Sequence, residues 1–196
     1  MQEFYLIRHG ETRGNQLRRY IGTTDEPLCE EGIQGLKRKP ALNPQLVFSS
    51  PLLRCRMTAE LLFPSCAFRL IEELKECNFG EFENRNYLEL SGNPNFQAWI
   101  DSGGTLPFPG GESREAFRER SLKGFDQVQA QCAAEGVIRA AIVTHGGVIM
   151  NILQAYSPGQ SDFYDWYVKN AEGYRVWLDE NQWKRQKKSF ASVSPL

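Results

Sequence analysis

Two histidines occur among the 196 residues, and each follows an apolar run and precedes a glycine. The first lies in Phe4-Tyr5-Leu6-Ile7-Arg8-His9-Gly10-Glu11-Thr12, the second in Ala140-Ala141-Ile142-Val143-Thr144-His145-Gly146-Gly147. An imidazole is largely unprotonated near neutral pH, so it can attack as a nucleophile; protonated, it donates hydrogen bonds. Arg8 adds a guanidinium, whose paired N–H donors match the oxygens of an oxyanion. A cation at the end of an apolar strand is costly without an anionic partner. In open α/β sheets, ligands bind beyond the carboxyl ends of the strands. Both histidines sit at such ends, so they are read as two halves of one site.

Several elements must position them. Residues 3–8 read as the first strand, and residues 9–28, with Asn15, Gly22 and Pro27, as a long loop with a functional role. Glu30 to Lys39 read as a short helix ended by Pro40. Leu46–Ser49 is a second strand. Ser50 then caps a helix with Pro51 at its first position, running to about Leu62 and carrying Arg54 in its first turn. Phe68–Ile71 is a third strand, and Leu74 to Glu83 an irregular segment rich in carboxylates. Residues 84–112 hold Tyr87, Phe96, Trp99 and Phe108 among prolines and glycines, and read as a cap of short helices and loops. A helix starts at Ser113 and runs to about Glu135, with Phe117, Leu122, Phe125 and Val128 inward. The strand Ala140–Thr144 and a helix to Tyr156 follow. Residues 173–178 and 183–190 read as a closing hairpin with Glu180-Asn181 in its turn, and 191–196 as a frayed tail. Alternating strands and helices argue for an α/β fold with a largely parallel sheet. No repeat or linker divides the chain, so it reads as one domain, 1–196, with a cap-like insertion at about 84–112.

Bulk composition excludes some classes. The apolar fraction is 41% and formal net charge is −1, from 23 basic and 24 acidic residues. That balance gives no general attraction to nucleic acid or anionic membrane. The short basic run Lys184-Arg185-Gln186-Lys187-Lys188 reads as a solvated edge that discourages strand pairing. No apolar run approaches the roughly 20 residues of a membrane helix, and the first residues read as a strand, not a signal peptide, which points to the cytoplasm. The five cysteines, Cys29, Cys55, Cys66, Cys77 and Cys132, are odd in number and lack CxxC spacing. They read as free thiols in a reducing compartment, with no zinc site.

Four ordered blocks carry a resemblance. They are Leu6-Ile7-Arg8-His9-Gly10-Glu11-Thr12 with Asn15; Ser49-Ser50-Pro51-Leu52-Leu53-Arg54 with Thr58-Ala59; Leu74-Lys75-Glu76 with Phe79-Gly80; and Thr144-His145-Gly146-Gly147. Pro109-Gly110-Gly111-Glu112-Ser113 adds a segment that leads into a long helix. Together they resemble the histidine phosphatase superfamily in its phosphoglycerate-mutase-like branch. The resemblance implies a three-layer α/β sandwich with a mostly parallel central sheet and helices on both faces.

It also implies a division of labour for a phosphate monoester. His9 is the nucleophile, with a backbone carbonyl to fix its tautomer. Arg8 and Arg54 hold the phosphoryl oxygens, and His145, as imidazolium, donates to them. Glu76 protonates the leaving oxygen and later accepts a proton from water. Residue type alone leaves Glu81 and Glu83 open for that role. Asn15 and the amides of Ile21 and Gly22 complete the phosphate cradle, and Gly146 allows close backbone approach. The two arginines and His145 carry the charge that magnesium carries elsewhere, so no metal or other cofactor is expected.

The family holds mutases and phosphatases. Its mutases usually carry Glu-Arg-His-Tyr-Gly at the acid block and an arginine pair in the cap. This chain has Glu76-Cys77-Asn78-Phe79-Gly80, and Arg85 alone as a basic residue in 84–112. That favours a metal-independent phosphatase acting on a small-molecule ester with a neutral or apolar leaving group. α-Ribazole-5′-phosphate and broader substrate ranges are both within the resemblance. A cofactor-dependent phosphoglycerate mutase and a non-catalytic phosphate or phosphopeptide binder remain the alternatives.

Overall fold

A computed structural model describes residues 1–185 and 188–196. The first strand, β1 (Gln2–Arg8), is apolar on both faces, with Phe4, Tyr5, Leu6 and Ile7 all buried. A strand buried on both sides belongs in the middle of a sheet with helices above and below. β1 leads into the one-turn α1 (Arg13–Gln16) and then α2 (Glu30–Lys37). β2 (Leu46–Ser49), α3 (Leu53–Leu62) and β3 (Phe68–Leu70) follow, then α4 (Pro94–Asp101), α5 (Arg114–Ala134), β4 (Arg139–Thr144) and α6 (Gly146–Tyr156). The chain closes with β5 (Gly173–Leu178), α7 (Glu180–Lys184) and β6 (Phe190–Pro195).

The six strands form one sheet in the order β3-β2-β4-β1-β5-β6. The first four are parallel, and β5 and β6 add an antiparallel edge. Alternate side chains of each strand feed two cores, as a period of two requires. Phe4, Leu6 and Ile142 pack with Phe125, Val128 and Ile149 of α5 and α6. Tyr5, Ile7 and Val143 pack with Cys55, Ala59 and Phe63 on the α3 side. This is the expected sandwich, mostly parallel with helices on both faces. The register pairs Arg8 with Thr144, so His9 and His145 leave the same edge of adjacent strands.

Three local expectations change. Ser50 does not cap α3: Leu52 holds that position without a side-chain cap. The Ser50 amide instead continues the ladder to the Val143 carbonyl at 2.9 Å. Pro51 disfavours helical backbone at the residue before it, which keeps Ser50 extended and its hydroxyl free for another partner. The closing hairpin is also differently made. Asp179 caps the helix α7 through the amides of Asn181 and Gln182, so Glu180-Asn181 is helical. Residues 191–196, expected to fray, belong to β6 and its end: Val193 pairs with Val176, and the Leu196 amide reaches the Gly173 carbonyl at 3.0 Å. Its Ala-Ser-Val-Ser sequence has almost no hydrophobic signal because the strand lies at a sheet edge. Gln186 and Lys187, within the expected strand 183–190 and the basic run, lie outside the described residues. Lys188 of that run bonds Asp126 at 2.6 Å.

Segment 84–112 contains α4, started by Asn93 with Pro94 at the first helical position. Phe82, Leu90 and Phe96 form a small core of their own, with Tyr20, Phe79, Trp99 and Phe108 packed around it. No helix among the described residues is long and apolar enough to cross a membrane.

Candidate active site

The two histidine rings meet edge to face, with centroids 5.2 Å apart. The His9 amide donates to the Thr144 carbonyl at 3.0 Å, locking the two strand ends together. His9 Nδ1 lies 2.7 Å from the Gly10 carbonyl. A carbonyl only accepts, so Nδ1 carries the proton and Nε2 keeps a lone pair. That carbonyl is itself held: Asn170 Nδ2 donates to it at 3.4 Å, to the His9 carbonyl at 3.2 Å and to Asn15 Oδ1 at 2.9 Å. Ala171, next in sequence, has a left-handed backbone (φ 59°), and its amide bonds the Arg8 and His9 carbonyls. Nothing in the sequence distinguished Asn170 from an ordinary turn residue.

Arg54 is fully buried and has no carboxylate partner among the described residues. Its guanidinium donates to the carbonyls of Thr24 at 2.8 Å, Gly22 at 2.9 Å and Ile21 at 3.4 Å. Arg8 donates to the Val168 carbonyl at 2.8 Å. The Nε atoms of both arginines are buried without a partner. Two guanidiniums held only by carbonyls, each with an unspent buried donor, form a place prepared for an anion.

This geometry revises the expected cradle. The Gly22 amide donates to Glu83 Oε1 at 2.7 Å, and Ile21 and Gly22 present carbonyls to Arg54. Both carbonyls therefore position a cation, and the Gly22 amide, taken by Glu83, is not offered to an anion. Gly22 is small because a Cβ there would lie 1.8 Å from the Cys77 carbonyl oxygen. Asn15 spends its Oδ1 on the Thr12 amide at 3.2 Å and on Asn170, which leaves its Nδ2 as the donor available to a ligand. The need for glycine falls on Gly147, not Gly146. A Cβ on Gly146 meets Arg8 at an ordinary 3.5 Å, whereas one on Gly147 would lie 2.6 Å from Glu76 Oε1.

His145 is fully buried at the end of β4, in the cap position of α6. Its Nε2 is 2.8 Å from Ser50 Oγ and 3.4 Å from Cys55 Sγ. Burial pushes the Cys55 thiol up to about 12, so it stays protonated. Both histidines are held well below their ordinary value of 6.5, first by burial and then by Arg54. For His9 this favours the neutral nucleophile. For His145 it opposes the imidazolium, which an adjacent dianion would favour.

The carboxylates separate cleanly. Glu76 Oε1 accepts the Cys77 amide at 3.0 Å and Oε2 the Gly147 amide at 3.1 Å. Burial raises its pKa, opposed by those amides and by Arg54 and Arg8. Glu81 is exposed and bonds Asn93 and Asn95 at 2.6 and 2.7 Å. Glu83 accepts from Gly22, Thr24 and Phe79 and so clamps the loop that holds Arg54. Glu76 is thus the carboxylate that shares a cavity with Arg8. Its segment is tied down by Arg120, which donates to the carbonyls of Glu73, Lys75 and Glu76 and pairs with Glu112 at 2.7 Å.

That cavity holds about 290 Å³ and extends from Arg8, Glu76 and Gly147 to Phe79, Trp99 and Phe108 of the cap region. Arg85, the cap's lone basic residue, is exposed and does not line it, but Arg114 does. Among the described residues, no group of three or more His, Cys, Asp or Glu is placed to hold a metal ion.

A profile of the histidine phosphatase superfamily (branch 1) matches residues 4–189. The chain belongs to this superfamily. It is 32% identical over 199 residues to a metal-independent phosphoserine phosphatase of Arabidopsis thaliana, covering 92% of this chain and 78% of that one. The crystal structure of a phosphoglycerate mutase from Thermus thermophilus matches with TM-score 0.69 and 31% identity, over 100% of this chain and 99% of that one. An α-ribazole phosphatase from Shigella flexneri shares the fold at TM-score 0.80 and 24% identity, over 91% of this chain and 92% of that one. The superfamily acts on small phosphate substrates.

Proposed function

We propose that the protein is a cytoplasmic, metal-independent phosphomonoester hydrolase that works through a phosphohistidine on His9. The observation that carries this reading is the tautomer of His9: Nδ1 anchored on the Gly10 carbonyl, Nε2 free, and two buried guanidiniums with unspent donors close by. Nε2 attacks phosphorus while the bond to the leaving oxygen breaks, and that oxygen takes the Glu76 proton. Water then attacks the phosphohistidine, gives a proton to the Glu76 carboxylate, and the N–P bond breaks to release phosphate. Arg8, Arg54 and a His145 charged by the dianion stabilise the phosphoryl oxygens as charge develops.

The aromatic cavity supports an ester whose organic part is largely apolar, and α-ribazole-5′-phosphate is one candidate of that kind. The alternatives are a phosphoglycerate mutase and a phosphate-binding protein without turnover. The mutase reading is weakened by the absence of an arginine pair in 84–112. The test is a phosphate-release screen in excess chelator, with wild type beside His9→Ala. Its panel holds aryl phosphates, phosphoserine, 3-phosphoglycerate and α-ribazole phosphate. The expected outcome is release that His9→Ala lowers by at least about 10⁴-fold, with the fold intact by circular dichroism. Release that only magnesium restores overturns metal independence. Tight phosphate binding with no release transfers the reading to a binder.

A further inference from the structure

We propose that Arg114 forms a subsite for a second anionic group, a carboxylate or a phosphate, at the far end of the leaving group. This rests on the hydrolase reading above and names the substrate class: a phosphate ester whose organic part is apolar near the reacting phosphoryl group and acidic at its other end.

The cavity supplies the geometry. Arg8 and Glu76 line it, and much of the remaining wall is made of rings, among them Phe79, Phe108 and Phe117. Arg114, the first residue of α5, lines the same space. Its guanidinium carbon lies 5.8 Å over the ring of Phe163, which is itself a wall of the cavity. Stacking on a ring fixes the plane of a guanidinium and leaves its N–H edge free.

Several arginines of this protein spend that edge within the protein, whereas Arg114, like Arg56, Arg85 and Arg118, does not among the described residues, and of these four it is the one that lines this cavity. Arg120, six residues along the same helix, is spent on Glu112 and three carbonyls. Arg69 is bidentate to Glu135, Arg19 pairs with Glu89, and Arg175 with Glu3. Arg114 makes no hydrogen bond or ion pair among the described residues. It is an exposed cation over a ring, with open donors at the border of a cavity rich in aromatic side chains, and those rings would shield part of a paired ligand carboxylate or phosphate from water.

The test is a substrate series: phenyl phosphate, its 4-carboxy, 4-(2-carboxyethyl) and 4-phosphono derivatives, and the 4-(2-aminoethyl) derivative. Each is assayed with wild type, Arg114→Gln and Arg114→Glu. Differences in leaving-group acidity cancel when one substrate is compared across the three proteins. In wild type, at least one acidic ester should exceed phenyl phosphate in kcat/KM by about tenfold, the size of one charge-assisted hydrogen bond, mostly through KM. Arg114→Gln should bring that ratio close to one, and Arg114→Glu should turn the preference toward the ammonium ester. A purely structural role does not invert with charge. The better of the carboxy and phosphono esters names the anion. A ratio of acidic to neutral esters that is the same in wild type and Arg114→Gln across the series overturns the proposal. If no ester is hydrolysed, the hydrolase reading fails instead, and the same ratios measured as dissociation constants decide Arg114 by themselves.

Discussion

At the phosphoryl end of the cavity, side chains hang from backbone positions that the sheet sets. His9 and His145 follow paired residues of β1 and β4, and a backbone hydrogen bond ties them. At the leaving-group end, much of the wall comes from residues 79–108, which contribute no strand to the sheet and hold one another through ring contacts, with residues of 163–167 also lining the cavity. One end is positioned by hydrogen bonds, where an error of a fraction of an ångström leaves a buried donor unpaired. The other is positioned by apolar packing, which tolerates changes of shape. Chemistry should therefore be sensitive to single atoms at the first end and graded at the second.

The largest effect within this contrast is expected at Glu76. Replacing it with Gln keeps the shape and one of the two amide contacts but removes the titratable proton. Turnover of alkyl phosphates, whose leaving oxygen needs protonation, should fall by about 10²–10⁴-fold. Activated aryl phosphates should lose far less. Steady-state kinetics on both classes checks this, and equal losses would remove Glu76 as the acid.

Ser50 sharpens the same end. It is fully buried, and its hydroxyl oxygen is within 2.8 Å of His145 Nε2. When His145 takes a second proton against the phosphoryl dianion, both ring nitrogens need acceptors, and Ser50 is the acceptor on the protein side. Ser50→Ala should lower kcat by about tenfold, from the roughly 1–3 kcal/mol cost of an unpaired buried donor. Ser50→Thr should restore most of it. A loss confined to KM, or one Thr does not rescue, would make Ser50 a packing residue only.

Phe108 probes the other end. Its ring lies 5.0 Å from Phe79 and 5.3 Å from Trp99. Phe108→Ala should raise KM for bulky aryl esters by about tenfold, within the range of one lost apolar contact set, and change small alkyl esters little. A collapse of kcat for both classes would show that the cap also fixes the chemistry.

How much of this was readable beforehand follows the same division. The strands that carry the histidines, and the helix that carries Arg54, are marked by apolar runs, glycine and proline. The residues that orient them are not. Ser50 resembles a helix cap, Asn170 a turn, Glu83 a solvated carboxylate, and Arg120 a helix surface. Each gains its role from contacts more than 40 residues away in sequence, except for Glu83's clamp on Phe79 and Arg120's pair with Glu112. Gly22 looked like an amide donor because a loop glycine suggests one; only the fold shows Glu83 taking that amide. β6 was invisible for a different reason. An edge strand needs backbone partners more than hydrophobic side chains, and β5 provides them.

The smallest expected effect is on stability, and it tests whether the phosphoryl end is strained without its anion. His9 and His145 both have folded-state pKa values well below the ordinary 6.5. A group depressed in the folded state contributes stability that is complete above its unfolded value and is lost as pH falls toward the folded one. Glu76, raised above its ordinary 4.5, contributes in the opposite sense: its share is complete below that value and is lost as pH rises through the folded pKa. Denaturant midpoints should therefore decline as pH falls from about 7 toward 5, where the two histidines oppose protonation together. Inorganic phosphate should flatten that decline, because a bound dianion favours the charged His145. His145→Gln should remove its share of the slope while His9 keeps the remainder. A midpoint that is level between pH 7 and 5 in wild type would mean that the two rings take up protons as readily in the folded protein as in the unfolded chain. The site would then be already balanced electrostatically before any substrate arrives.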